Sequence, residues 1–160
     1  MDKNILAETA IKMMMRPKGI LAMDESSPTI AKRLASISVD NNEDNRRRYR
    51  ELIVTAPNLS DYISGAILFE ETFDQKMSDG TLFRDYLESI GILPGIKVDK
   101  GAKDLSCHPN EKITEGLDGL RDRLTAYYEN GAKFCKWRAV ITIANNIPVS
   151  YTHLTLPPKA

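Results

Sequence analysis

Four short apolar runs recur along this chain, with helix-like segments between them, and that alternation narrows the fold more than any other feature. The runs are Gly19–Asp24, Ser64–Phe69, Ile96–Asp99 and Phe134–Val140. The first, Gly-Ile-Leu-Ala-Met-Asp, shows no polar/apolar alternation and is expected to be a strand buried on both faces, as in parallel sheets. Ahead of it, Ile5, Leu6, Thr9, Ile11, Lys12 and Met13 give an imperfect helical rhythm that Arg16-Pro17-Lys18-Gly19 stops. After it, Ser27 is placed to cap a helix from Pro28 to about Ile37, with proline at the first position. Asn41–Asp44 opens a charged helix through Arg46, Tyr49, Leu52 and Ile53, on which Arg46-Arg47-Arg48 reads as a solvated face. Gly80–Ile90 reads as a helix stopped by Gly91. Leu117, Leu120, Leu124 and Tyr127 fall on one face of a helix that Asn130-Gly131 ends.

Strand and helix in turn describe an α/β protein with parallel strands and right-handed crossovers. A doubly wound open sheet is one outcome. The other is a (β/α)₈ TIM barrel, which needs about 250 residues. At 160 residues the chain would supply part of one, namely an N-terminal helix and the first four βα units. Charge inside the strands favours the barrel. Lys97 interrupts the third run, and Lys136 and Arg138 the fourth. In an open sheet covered by helices such charges would face apolar layers, at several kcal/mol each unless paired. In a barrel, inward residues at the carboxyl ends of the strands line the active site. Lys136 and Arg138 are two apart and are expected to share one strand face, with Trp137 pointing to the helix layer. Asp24 ends the first strand, so Asp24, Lys97, Lys136 and Arg138 are expected to converge. One carboxylate among several cations suits an anionic substrate with a reacting hydroxyl. A buried ion-pair network without chemistry is the alternative.

Composition removes other classes of function. Lysine plus arginine balances aspartate plus glutamate at 22 each, which argues against general nucleic-acid or membrane-surface binding. Cys107 and Cys135 are far apart and in no metal-ligand spacing, so no disulfide is expected and a reducing cytoplasm is the expected compartment. No signal peptide or membrane span is read in the sequence. His108 and His153 have no partners at metal-site spacing, and no metal or cofactor is expected.

Five blocks then carry a family resemblance. Leu-Ala-Met-Asp-Glu-Ser-Ser at 21–27 with Ile-Ala-Lys-Arg at 30–33, the arginine-rich helix at 43–49, Gly-Ala-Ile-Leu-Phe-Glu-Glu-Thr from Gly65, Gly-Ile-Lys-Val-Asp-Lys-Gly from Gly95, and Gly-Leu-Asp-Gly-Leu from Gly116 with Ala-Lys-Phe-Cys-Lys-Trp-Arg from Ala132 occur in this order. Together they resemble the class I fructose-1,6-bisphosphate aldolases from about Ile5 to Pro148. The resemblance implies a (β/α)₈ barrel that reversibly splits fructose 1,6-bisphosphate into dihydroxyacetone phosphate and glyceraldehyde 3-phosphate through a lysine Schiff base, without metal, in glycolysis. It also implies a homotetrameric parent protein in the cytoplasm. By the same resemblance Asp24 handles substrate hydroxyls near the cleaved bond, Lys97 sits beside the phosphate and the reacting centre, and Lys136 assists carbinolamine and Schiff-base chemistry. Ser26, Arg33 and Arg138 become substrate-phosphate contacts. Neutralising two phosphates requires such cations.

Two positions depart from the family pattern. Pro28 takes the place of a glycine and removes an amide donor from the phosphate-side loop. Met23 replaces the usual alanine before the signature aspartate. Beyond Pro148 the resemblance stops, and residues 149–160 are expected to be an unrelated tail, artefactual or disordered. The family's Schiff-base lysine, on its sixth strand, would then be missing and the chain inactive alone. Three readings follow: an aldolase fragment, a non-enzymatic half-barrel that binds sugar phosphate or assembles with another chain, and a standalone doubly wound domain. The third would need Gly-rich phosphate turns, which the sequence does not show.

Overall fold

Strand order settles the choice between barrel and doubly wound sheet. A computed structural model describes residues 3–145 and 147, which fall into two compact units, 3–97 with 121–136 and 98–120 with 137–147. In the first unit β1 (Gly19–Met23), β2 (Ile63–Leu68), β3 (Leu93–Lys97) and β6 (Phe134–Lys136) form one parallel sheet in the order β1-β2-β3-β6. Each strand lies beside the next one in the unit. A doubly wound sheet would reverse direction at a switch point, and this sheet does not.

The helices follow the predicted punctuation closely. They are α1 (Lys3–Met13), α2 (Ser27–Ala35), α3 (Glu43–Val54), α4 (Leu59–Tyr62), α5 (Glu70–Asp74), α6 (Phe83–Ser89) and α7 (Leu120–Glu129). Asn42 caps α3 by accepting the Asn45 amide at 2.8 Å. The cap of α2 is Ser26 rather than Ser27, so Pro28 falls at the second position. The Ser26 hydroxyl makes no cap bond and instead lies 3.3 Å from Thr29 Oγ1. The short α4 and α5 have no periodicity to announce them, being a single turn or little more.

Register assigns the strand residues to two faces. Ile20 pairs with Gly65, Ala22 with Ile67, Gly65 with Leu93, Ile67 with Gly95, Gly95 with Phe134, and Lys97 with Lys136. These residues share one face, because side chains alternate along a strand. The other face holds Met23, Ala66, Leu68 and Ile96, all buried with Ile30, Leu34, Phe73, Phe83 and Leu87 of the helices. Met23 is fully buried there, so the bulkier residue is accommodated within the core. The expectation that the first strand is buried on both faces is corrected. Gly19, Ile20 and Ala22 are exposed, because β1 has a neighbour on one side only and its second face is uncovered among the described residues.

On the half-covered face, two glycines make room for one aromatic ring. A Cβ at Gly95 would lie 2.3 Å from Phe134 Cζ, and one at Gly65 would lie 3.0 Å from Phe134 Cε1. Phe134 therefore lies across the backbones of β2 and β3, a close approach that only glycine permits.

The second unit contains an antiparallel pair that the sequence reading missed, β4 (Ala102–Asp104) with β5 (Lys112–Thr114). Lys112 and Asp104 are ion-paired across it. The fourth parallel strand is also shorter than predicted: it ends at Lys136, so Trp137 and Arg138 lie outside it and the shared strand face for Lys136 and Arg138 is not formed. The proposed boundary at 148/149, the tail and His153 lie outside the described residues.

Candidate active site

The sheet's parallel order places the ends of β1, β3 and β6 at one edge, and with them Asp24, Lys97 and Lys136. Asp24 immediately follows β1 and is 7% exposed. Lys97 and Lys136 are register partners at the last positions of β3 and β6. Lys136 Nζ donates to Asp24 Oδ2 at 2.6 Å. β1 and β6 are three strand spacings apart, about 14 Å along a flat sheet at roughly 4.8 Å per strand. Side chains from the two outer strands meet only if the sheet curls toward the face that carries them. That curvature is what a barrel demands.

The segment after Asp24 is held by arginines. Arg33, on α2, is ion-paired with the Glu25 carboxylate and donates to the Tyr49 hydroxyl at 2.6 Å. The Tyr49 hydroxyl and the Glu25 charge hold the Arg33 guanidinium above its ordinary value, so it stays a cation. Its side chain remains half exposed and open to solvent. Ser26, at the N-cap position of α2, is partly buried.

Arg46 and Arg50 correct the reading of α3 as a solvated charged face. Arg46 forks onto both Glu71 oxygens, with Nε at 3.1 and 3.0 Å. Arg50 is fully buried, donates to Glu71 Oε2 at 2.9 Å and to the Glu25 main-chain oxygen at 2.8 Å, and stacks 5.6 Å over the Phe69 ring. Burial pulls the Arg50 guanidinium below its ordinary value, opposed by Glu71. Arg46 and then Arg50 hold Glu71 below the usual carboxylate range by donating to it. Arg47 pairs with Asp44 and Glu51 along the helix, and Arg48 alone of the run is freely exposed. Arg50 was not singled out in the sequence. The one available signal was its place four residues after Arg46, on the same helical face.

Arg138 belongs to the second unit. Its amide donates to Asp99 Oδ2 at 3.3 Å, its carbonyl accepts from Thr114 Oγ1 at 2.8 Å, and its side chain is exposed. Of the six predicted site residues, the structure thus gathers Asp24, Lys97 and Lys136 at one sheet edge and puts Ser26 and Arg33 on the segment and helix that follow Asp24. Among the described residues no three His, Cys, Asp or Glu side chains are grouped to hold a metal ion. His108 Nδ1 lies 2.9 Å from the Ser106 carbonyl, and Cys107 and Cys135 are free thiols. No helix among the described residues is long and apolar enough to cross a membrane.

Known proteins are similar to this chain over most of its length. A family model described as fructose-bisphosphate aldolase class-I matches residues 5–156, running past Pro148. A probable fructose-bisphosphate aldolase class 1 of Xanthomonas axonopodis pv. citri is 62% identical over 143 residues, covering 89% of this chain and 43% of the relative. The cytosolic fructose-bisphosphate aldolase 6 of Arabidopsis thaliana is 60% identical over 131 residues, covering 82% of this chain and 37% of its own length. The solved fructose-bisphosphate aldolase of Plasmodium falciparum, in complex with TRAP and a small-molecule inhibitor, superposes with a TM-score of 0.86 at 47% identity over 91% of this chain and 42% of that one. The chain therefore spans about two-fifths of the length of these relatives. Its four-stranded parallel sheet is part of a (β/α)₈ barrel, and the chain belongs to the class I fructose-bisphosphate aldolase family.

Proposed function

We infer that this chain supplies the substrate-side residues of an aldolase that reversibly cleaves fructose 1,6-bisphosphate to dihydroxyacetone phosphate and glyceraldehyde 3-phosphate in glycolysis. The observation that carries this reading is the Asp24–Lys136 contact, formed between the two outer strands at the carboxyl edge of the sheet. An acid and a base 2.6 Å apart can exchange roles as a proton moves between substrate hydroxyl and amine. Asp24 would accept the hydroxyl proton next to the cleaved bond. Lys136 would assist proton transfers at the carbinolamine. Lys97, beside Lys136 in register, would neutralise phosphate, with Ser26 and Arg33 as further phosphate contacts.

By the family resemblance the Schiff-base lysine lies on a later strand than the four of the described parallel sheet. The chain alone is therefore expected to bind the sugar bisphosphate without forming a covalent intermediate. Fructose 1,6-bisphosphate titrated into the chain by calorimetry should bind, and Lys136→Met or Asp24→Asn should weaken binding at least ~10-fold, as expected when a buried polar partner is left unpaired. Unchanged affinity in both variants would sink the reading, and so would a borohydride-trapped adduct on this chain for the account of the nucleophile. The full protein is proposed to be a cytoplasmic homotetramer. A second reading, a half-barrel that assembles with another chain, is favoured by the single-sided pairing of β1 and β6 among the described residues.

A further inference from the structure

Arg50 is the largest fully buried side chain among the described residues. A buried guanidinium is seldom kept for stability, because apolar residues of similar volume are often as good or better. Its Nε finds no hydrogen-bond partner among the described residues, so the site is not optimised for the cation as such. What an apolar side chain could not reproduce is the pair of directed bonds. One goes to Glu71 Oε2 at 2.9 Å, at the start of α5 just after β2. The other goes to the Glu25 main-chain oxygen at 2.8 Å, one peptide beyond Asp24. A single side chain from α3 thus ties the carboxyl end of β1 to that of β2.

The bond to Glu25 acts on Asp24. The backbone of Asp24 is fixed on one side by fully buried Met23 and on the other by the Glu25 carbonyl that Arg50 holds. Among the described residues the Glu25 carboxylate accepts from Arg33, itself half exposed, and attracts the Arg50 guanidinium. Removing the Arg50 bond would free the peptide that aims the Asp24 carboxylate at Lys136. We propose that Arg50 is a positioning residue, which holds the Glu25 peptide so that the Asp24 carboxylate stays in contact with Lys136. This rests on the reading of Asp24 and Lys136 as the substrate site, and extends it to a residue that touches neither of them.

Trace acetylation of the intact 160-residue chain, read lysine by lysine by mass spectrometry, tests it. Lys133 provides an internal reference: it pairs with Glu88 at 2.9 Å, three residues before Lys136. Asp24→Asn should raise the Lys136-to-Lys133 labelling ratio about three- to fivefold, as expected for opening a part-exposed ion pair. Arg50→Met should raise the same ratio to within about twofold of that value, and Arg50→Lys, which keeps the charge but not the fork, to an intermediate one. If Arg50→Met does not fold, Arg50→Lys decides. The proposal is overturned if Asp24→Asn leaves the ratio unchanged, if the Arg50 variants leave it at the wild-type value, or if they raise Lys133 and Lys136 labelling together. Fructose 1,6-bisphosphate added to the wild-type chain should lower Lys136 labelling. Absence of that protection would count against the substrate reading alone, since the ratios without ligand would still judge Arg50.

Discussion

Two acids show how single residues couple this fold to pH. Glu71 accepts from Arg46 and Arg50, which hold its folded-state pKa below the ordinary 4.5. A depressed carboxylate stabilises the fold above the unfolded value and loses that contribution as pH falls through the folded one. Glu71→Gln should therefore flatten the acid limb of stability below about pH 4.5 and, at neutral pH, cost about 3 kcal/mol by removing the carboxylate to which buried Arg50 is bonded. Urea titrations at a series of pH values would show both effects, and an unchanged acid limb would refute the assignment. Tyr127 behaves oppositely. Burial, then its hydrogen bond to Glu70 at 2.8 Å, pushes its phenol up from 10.0 to about 12. The protonated phenol is the neutral form, so its stabilisation is fully present below pH 10 and is lost as pH rises toward about 12. Tyr127→Phe should remove that alkaline decline while costing under about 1 kcal/mol at pH 7, since exposed Glu70 can turn to water. Thermal melts between neutral and alkaline pH read the difference.

At the scale of elements, the sheet is held together by the fit of Phe134 over Gly65 and Gly95. Gly95→Ala puts a methyl into the ring and should destabilise the chain by about 1–3 kcal/mol. Phe134→Leu should recover part of that loss in the double variant, because the smaller side chain vacates the contested space. Strictly additive denaturation energies for the two changes would rule out this contact. The same elements show where patterning was a sufficient guide. Each of the four predicted strands overlaps an observed one, although β3 begins at Leu93, three residues before the predicted start, and ends at Lys97 rather than Asp99, and Asn42 caps α3 at the expected turn. The fourth strand stopping at Lys136 was not readable, since Trp137–Val140 has the composition of a strand and only the absence of a continuing register ends it.

For the whole molecule, the open edges govern behaviour. β1 and β6 each pair on one side only among the described residues, and Ile20 is exposed on the uncovered face. Unpaired edges and exposed apolar surface favour association. The isolated chain is expected to self-associate with concentration in sedimentation experiments, and a soluble monomer with a sharp two-state melt would count heavily against this. A companion chain supplying further strands should suppress it.

Sequence alone determined the α/β class and the parallel strands, which rest on local periodicity, carried the family resemblance in its ordered blocks, and singled out Asp24, Lys97 and Lys136 as polar residues whose burial is costly unless they are paired. Tertiary structure decided the rest. Whether the arginine run at 46–50 is solvated or buried depends on Glu71, more than twenty residues beyond Arg50 and brought near by packing. Whether Asp24 and Lys136 touch depends on how far four strands curl, and curvature is a property of the assembled sheet that no window of sequence contains.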